Sequence, residues 1–207
     1  MQQDLRLCKC WRIFIKTALP KLKLSRTVKI LLLGANIWYF GEGMLGPLFA
    51  IFSEKVGGDI LDITWAWATY LVITGVFYII VGRLLNNKEI KVKVMVFGYS
   101  LNALLTFGYL LVDSPFKLFL VQAGLGIAEA LGTPAWDALY AKSLDSDLDS
   151  YAWGLSTGQS QIVTGIAFAV GGVITHFISF NALFITMGII QIGAAIVTSQ
   201  LLFAKNK

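Results

Sequence analysis

The sequence predicts an all-α integral membrane protein with six transmembrane helices, arranged as two inverted three-helix repeats. Three observations carry this. First, 57% of the 207 residues are hydrophobic and only 14% are charged, whereas an ordinary soluble domain is about a quarter charged. Second, apolar runs of roughly eighteen or more residues, enough to cross a bilayer, recur along the chain. Third, two stretches follow one another in order: "EGMLGPLFAIFSEKVGGDILD" at 42–62 and "EALGTPAWDALYAKSLDSDLD" at 129–149. In each, an acid (Glu42, Glu129) stands five residues before a proline (Pro47, Pro134). A lysine (Lys55, Lys142) follows the proline by eight and an aspartate (Asp62, Asp149) by fifteen. The match runs on: "WAW" at 65–67 faces "YAW" at 151–153, and "ITGVFYIIVG" at 73–82 faces "VTGIAFAVGG" at 163–172. Three spans are an odd number, so the second copy enters the membrane the other way up. Inverted repeats of this kind place binding sites near the midplane, at broken helices.

The expected helices are 28–52, 64–85, 93–112, 116–142, 151–176 and 180–203. Residues 1–27 form a basic cytoplasmic segment, 28–112 the first repeat and 113–207 the second. Gly41, Gly43, Gly46 and Pro47 bend the first helix and allow close packing. "SEKVGGDILDI" and "NNKEIKV" are short connections, and Pro115 suits the first position of the fourth helix. "SLDSDLDS" reads as a solvated loop, and 176–181 as the last turn.

Orientation follows from Lys and Arg. Fifteen of the 17 basic residues fall on one face, and only Lys55 and Lys117 on the other. Both termini are therefore expected in the cytoplasm, with the protein in the cell's inner or plasma membrane. "LRLCKCWRIFIKTALPKLKL" alternates bases with aromatic and aliphatic residues. It reads equally as an interfacial helix or as a basic tail that sets topology. No cleavable signal is expected. The net charge of +5 is concentrated at one membrane face, so it is not a nucleic-acid footprint. Cys8 and Cys10 have no accompanying His or further Cys, which argues against a metal site. No nucleotide loop or nucleophile constellation is present. Neither an enzyme nor a cofactor is expected.

The "GLGIAEALGTPAWDALYAKSLD" region, with small residues leading into a proline and then a cytoplasmic acidic turn, resembles the fourth helix of the major facilitator superfamily. The likeness covers about 28–203 and corresponds to one six-span half of such a transporter, itself two inverted three-span repeats. The family's gating loop, roughly G-x-L-x-D-R-x-G-R-R, is matched by "GRLLNNKEIK": Gly82, Leu84 and Lys91 fit, while Asn86 and Asn87 replace the expected Asp and Arg. The resemblance implies a central cavity lined by the first and fourth helices and a second six-span half to close it. A parallel homodimer supplies that half without further sequence.

The candidate proton-coupling or substrate-binding residues lie on those two helices. Gln122, Glu129, Trp136 and Tyr140 fall within about 20° of one stripe at 100° per residue. Trp38 and Glu42 lie on a similar stripe of the first helix. A carboxylate near the bilayer centre costs roughly 2.5–3.5 kcal/mol on insertion scales, so two of them call for a reason. An acid there can take and release a proton as its exposure alternates, or attract a cation helped by aromatic faces. It can also simply hydrogen-bond a neighbouring helix. Asp137, nearer the cytoplasm, divides evenly between a site role and an interhelix brace to Arg83 or Lys142. Gln159 and Gln161 divide between substrate contact and interhelix bonds. Trp65, Trp67 and Trp153 read as interface anchors.

The leading reading is a secondary active transporter of small organic solutes, proton-coupled, working as a parallel homodimer and exporting cationic or amphipathic compounds. Its partners are then a small-molecule substrate, protons and membrane lipid. The alternatives are a non-transporting subunit that pairs with another half-transporter, and a lipid flippase or scramblase.

Overall fold

The computed structural model describes residues 24–85, 88–144 and 149–203. The expected interfacial helix, Cys8 and Cys10, Asn86 and Asn87 and the centre of the acidic loop lie outside the described residues. The elements are α1 (Arg26–Gly43), α2 (Phe49–Lys55), α3 (Ile60–Leu84), α4 (Lys88–Thr106), α5 (Pro115–Lys142), α6 (Asp149–Phe177) and α7 (Phe180–Ser199). Short 3₁₀ turns join α1 to α2 (Gly46–Leu48) and extend α4 (Phe107–Leu111) and α7 (Gln200–Leu202). Five of these helical segments have the length and apolar character to cross a membrane: Ile60–Leu84, Ile90–Leu111, Pro115–Lys142, Ser150–Phe177 and Phe180–Leu202. The chain is an integral membrane protein.

The first expected helix is interrupted. α1 starts at Ser25, whose hydroxyl accepts from the Val28 N–H at 3.2 Å, and it ends where Gly41, Gly43, Gly46 and Pro47 cluster. Glycine is a poor helix former, and proline lacks the N–H that would continue the ladder. Pro134, which like Pro47 follows a glutamate by five residues, stands inside α5, yet the helix runs through it. There packing against α3 and α4 carries the helix past Pro134, although Gly132 and Thr133 precede it.

α3 begins a turn earlier than its apolar run suggests. Asp59 accepts from the N–H groups of Leu61 and Asp62 at 2.8 and 2.9 Å, while Asp62 accepts from the Asp59 N–H at 3.1 Å. This reciprocal cap satisfies N–H groups that a helix start leaves open. Gly57, at φ 86°, supplies the left-handed residue of the turn before it. Pro115 opens α5 as expected.

α5 packs against α3 and α4, α1 packs against α6 and α7, and α4 joins α7. Small residues set the closest approaches. A Cβ on Gly98 of α4 would stand 2.6 Å from the Gly132 nitrogen and 2.8 Å from the Ala128 oxygen of α5. One on Gly171 of α6 would run into the Met44 carbonyl at the end of α1. In lipid, where apolar surface gains nothing by leaving the solvent, such backbone-to-backbone packing is what holds helices together.

Two apolar clusters result. One, at the end where most basic residues lie, contains Leu31, Met95, Leu139 and Tyr140. The other, toward the α1–α2 break, contains Met44, Phe52, Leu118 and Phe184. In the second, Phe52 meets Phe184 edge-on at 4.7 Å and Tyr109 stacks on Phe184 at 5.0 Å, fastening α2, the end of α4 and α7 together. Between the clusters lies a layer of polar side chains.

Candidate functional site

In the helix sequences, the polar layer sits between residues of the two clusters: Glu42 between Trp38 and Met44, Asn102 between Tyr99 and Tyr109, Gln191 between Met187 and Ala194, and Glu129 between Leu125 and Ala135. Glu42 accepts from the Asn102 side-chain amide of α4 and the Gln191 side-chain amide of α7, each at 3.3 Å. Gln191 also donates to the Trp38 carbonyl at 3.2 Å. Its room comes from Gly41: a Cβ there would stand 3.0 Å from the Gln191 amide nitrogen. Glu42 therefore joins α1 to α4 and α7.

Glu129, like Glu42 five residues before a proline, has a different partner. It accepts from the Tyr78 hydroxyl of α3 at 2.9 Å, and Tyr78 also shares a side-chain hydrogen bond with Thr133. The second Glu129 oxygen is buried with no hydrogen-bond partner.

A cavity of about 370 Å³ opens between α1, α4, α5 and α6, within the range usual for small-molecule sites. Asp137 lines it, as do the aromatic residues Trp38, Tyr39, Tyr99, Trp136 and Trp153. Thr133, Ser156, Thr157, Ser160, Gln161 and Thr164 contribute hydroxyl and amide groups. Beside it, Asn36 donates to Gln159 at 3.1 Å, tying α1 to α6. One carboxylate among five aromatic rings suits a cation, which gains from both the charge and the ring faces.

The structure thus brings together Trp38, Trp136, Asp137 and Gln161 of the expected set and places the others elsewhere. Glu42 and Glu129 stand in the layer beside the cavity, and Gln122 is buried within α5. Tyr140 is fully buried, donates to the Ala152 carbonyl at 2.6 Å and stacks on Trp136 at 4.6 Å; it joins α5 to α6. The Trp136 ring faces the cavity while its indole N–H donates to the Leu31 carbonyl at 3.0 Å. Trp153, read from the sequence as an interface anchor, meets Tyr140 edge-on at 5.0 Å and forms part of the cavity wall. Trp65 is exposed as expected. Of the loop residues, Gly82 is exposed and Lys91 half-buried, and Asn86 lies outside the described residues. Sequence reasoning passed over Tyr39, Tyr78, Tyr99, Asn102 and Gln191. The two amides had a signal, each being an isolated polar group deep in an apolar helix.

The polar layer, the interrupted first helix and the cavity agree with the comparisons to known proteins. The family model of the Major Facilitator Superfamily matches residues 31–207. An uncharacterised MFS-type transporter of Methanocaldococcus jannaschii is 24% identical over 192 residues, covering 89% of this chain and 49% of the relative. The chain spans about half the length of the relative it matches. With the family model covering all but the basic N-terminal stretch, the chain belongs to the Major Facilitator Superfamily.

Proposed function

We propose that this chain forms half of a secondary active transporter for small organic cations or amphipathic compounds, coupled to protons. The observation that carries the reading is the cavity that Asp137 lines together with five aromatic residues. Asp137 is the cation anchor and the rings its apolar walls. Glu129 and Glu42 lie off the cavity, in a layer where a proton can be held without competing directly for the substrate's position. Glu129 suits this best, because one of its oxygens is buried without a partner. Export is the direction the family resemblance favours.

The inverted-repeat reading has support from the packing pattern. Exchanging the α1–α2 arm with α5, α3 with α6, and α4 with α7 turns each main pairing into another: α3 on α5 becomes α6 on α1, and α4 on α5 becomes α7 on α1. On this reading the arm is one crossing, giving six spans with both termini in the cytoplasm.

Within this chain the cavity is bounded by α1, α4, α5 and α6, and on the family's two-half plan a second six-span unit completes it. α3 and α6 present the face for that unit: 11% and 17% of their central windows are buried, against 39–44% for the other three membrane-length segments. A second copy of this chain, parallel to the first, is the simplest such unit. The test is binding of a lipophilic organic cation, tetraphenylphosphonium, to purified protein in nanodiscs. Asp137→Asn abolishes binding if Asp137 is the anchor. Wild-type affinity in Asp137→Asn refutes the cation site.

A further inference from the structure

A second cavity, of about 390 Å³, lies away from the polar site, in the outward groove between α4 and α7. Its walls include Ala103 and Leu104 of α4 and Ile192 and Ala195 of α7. Two hydroxyls line it, Ser100 and Ser199, and both are used internally: they donate to the Val96 and Ile196 carbonyls at 2.8 and 2.7 Å. The groove offers its occupant apolar contact and asks for no hydrogen bond.

One end is closed. Phe107 lines the groove and its ring rests on Gly188, where a Cβ would collide with the ring. From Val96 to Phe107 the groove runs about 16 Å at 1.5 Å per residue, close to half of the roughly 30 Å hydrocarbon thickness. Measured from Lys93, Phe107 lies about 21 Å away at the same rise, so the groove is long enough for one acyl chain and reaches past the bilayer midplane. The open end leads to charge. Lys93 is exposed, lies about one turn from Val96 and falls within about 20° of Ser100 and Leu104 at 100° per residue. Lys91, half-buried, stands two residues before Lys93 at this helix end.

We propose that the α4–α7 groove is a phospholipid site: one acyl chain lies along it with its end at Phe107, and an anionic headgroup meets Lys93. The apolar lining, a length that suits an acyl chain and the lysine in register at the mouth together select a lipid over a soluble apolar molecule, which needs no charge at that end. The site faces away from the substrate cavity and does not depend on the transport reading.

The experiment is native mass spectrometry of the full chain released from nanodiscs of equal phosphatidylglycerol and phosphatidylcholine. Wild type retains one phosphatidylglycerol. Ser100→Phe, at an exposed wall position, reduces retention about tenfold by filling the groove. Lys93→Gln keeps one lipid but lowers the preference for phosphatidylglycerol about fivefold, since one lysine near an anionic surface contributes about 1 kcal/mol. Ala195→Phe fills the groove from the other wall and is read if Ser100→Phe does not elute as folded protein. Wild-type retention in the filled variants overturns the acyl site. An unchanged headgroup preference in Lys93→Gln overturns the charge contact.

Discussion

Glu129→Gln separates coupling from packing. In the structure one Glu129 oxygen accepts from Tyr78 at 2.9 Å, and the other is buried without a partner. Glutamine keeps the acceptor facing Tyr78 and places an NH₂ where the unpartnered oxygen was. That donor, left unmade, costs about 1–3 kcal/mol. Removing a charge from mid-membrane relieves a penalty of roughly 2.5–3.5 kcal/mol. The two nearly offset each other, so the variant folds and its thermal midpoint moves little. Function changes much more. Exchange of one proton for one monovalent cation lets a gradient of two pH units sustain up to about a hundredfold accumulation, tenfold for each unit. Without a titrating group at the coupling site, flux runs only to equal concentrations while solute–solute exchange continues. The assay is uptake of labelled tetraphenylphosphonium into proteoliposomes with an imposed pH gradient, at matched protein levels, beside counterflow without a gradient. Accumulation by Glu129→Gln with the wild-type dependence on the pH gradient would refute the reasoning and leave Glu129 as a packing residue.

Other outcomes follow from the same structure. Cysteines placed together at Gly75 and Gly158, nine residues before the end of α3 and nine after the start of α6 and each with open space where a side chain would go, cross-link two copies if α3 of one chain meets α6 of the other; a protein that stays monomeric by mass in nanodiscs yet transports counts against the dimer. Cysteines at Gly57 and Asn181 react with impermeant thiol reagents outside intact cells, and one at Asn87 does not; labelling at 87 from outside contradicts the topology. Phe184→Ala opens a hole among Phe52, Tyr109 and Phe180. It destabilises by less than the roughly 3–5 kcal/mol typical of water-soluble cores, because lipid rather than water is the reference for the lost contacts; thermal unfolding monitored by size-exclusion chromatography measures it. Gly171→Val drives a side chain into the Met44 carbonyl and separates α6 from α1, so folded yield drops sharply, while Gly172→Val, where no neighbour stands within 4 Å, leaves it intact.

The sequence by itself determined the membrane character, the approximate helices and a bend near Pro47, which the structure shows as a break. Each rests on local physics: apolar length against bilayer thickness, Pro115 at a first helical position, and glycines with a proline where a helix cannot continue. It also marked the acids as exceptional, because charge in lipid is expensive wherever it stands. Helical spacing put Glu129, Trp136 and Tyr140 on one stripe, yet only the packed structure showed three fates for them: Glu129 against Tyr78, Trp136 on the cavity, and Tyr140 clamped to Ala152. Likewise Glu42 and Glu129 are matched in sequence but reach different helices, and Asp137, balanced between brace and site, lines the cavity. Periodicity fixes angles within one helix. It leaves open the helix's rotation relative to its neighbours, and lipid is as apolar as the protein interior, so no contrast between wet and dry faces marks which side turns inward. That rotation is set by close contacts such as Gly98 on Gly132 and Gly171 on Met44, which join residues far apart in the chain and exist only once the helices have packed.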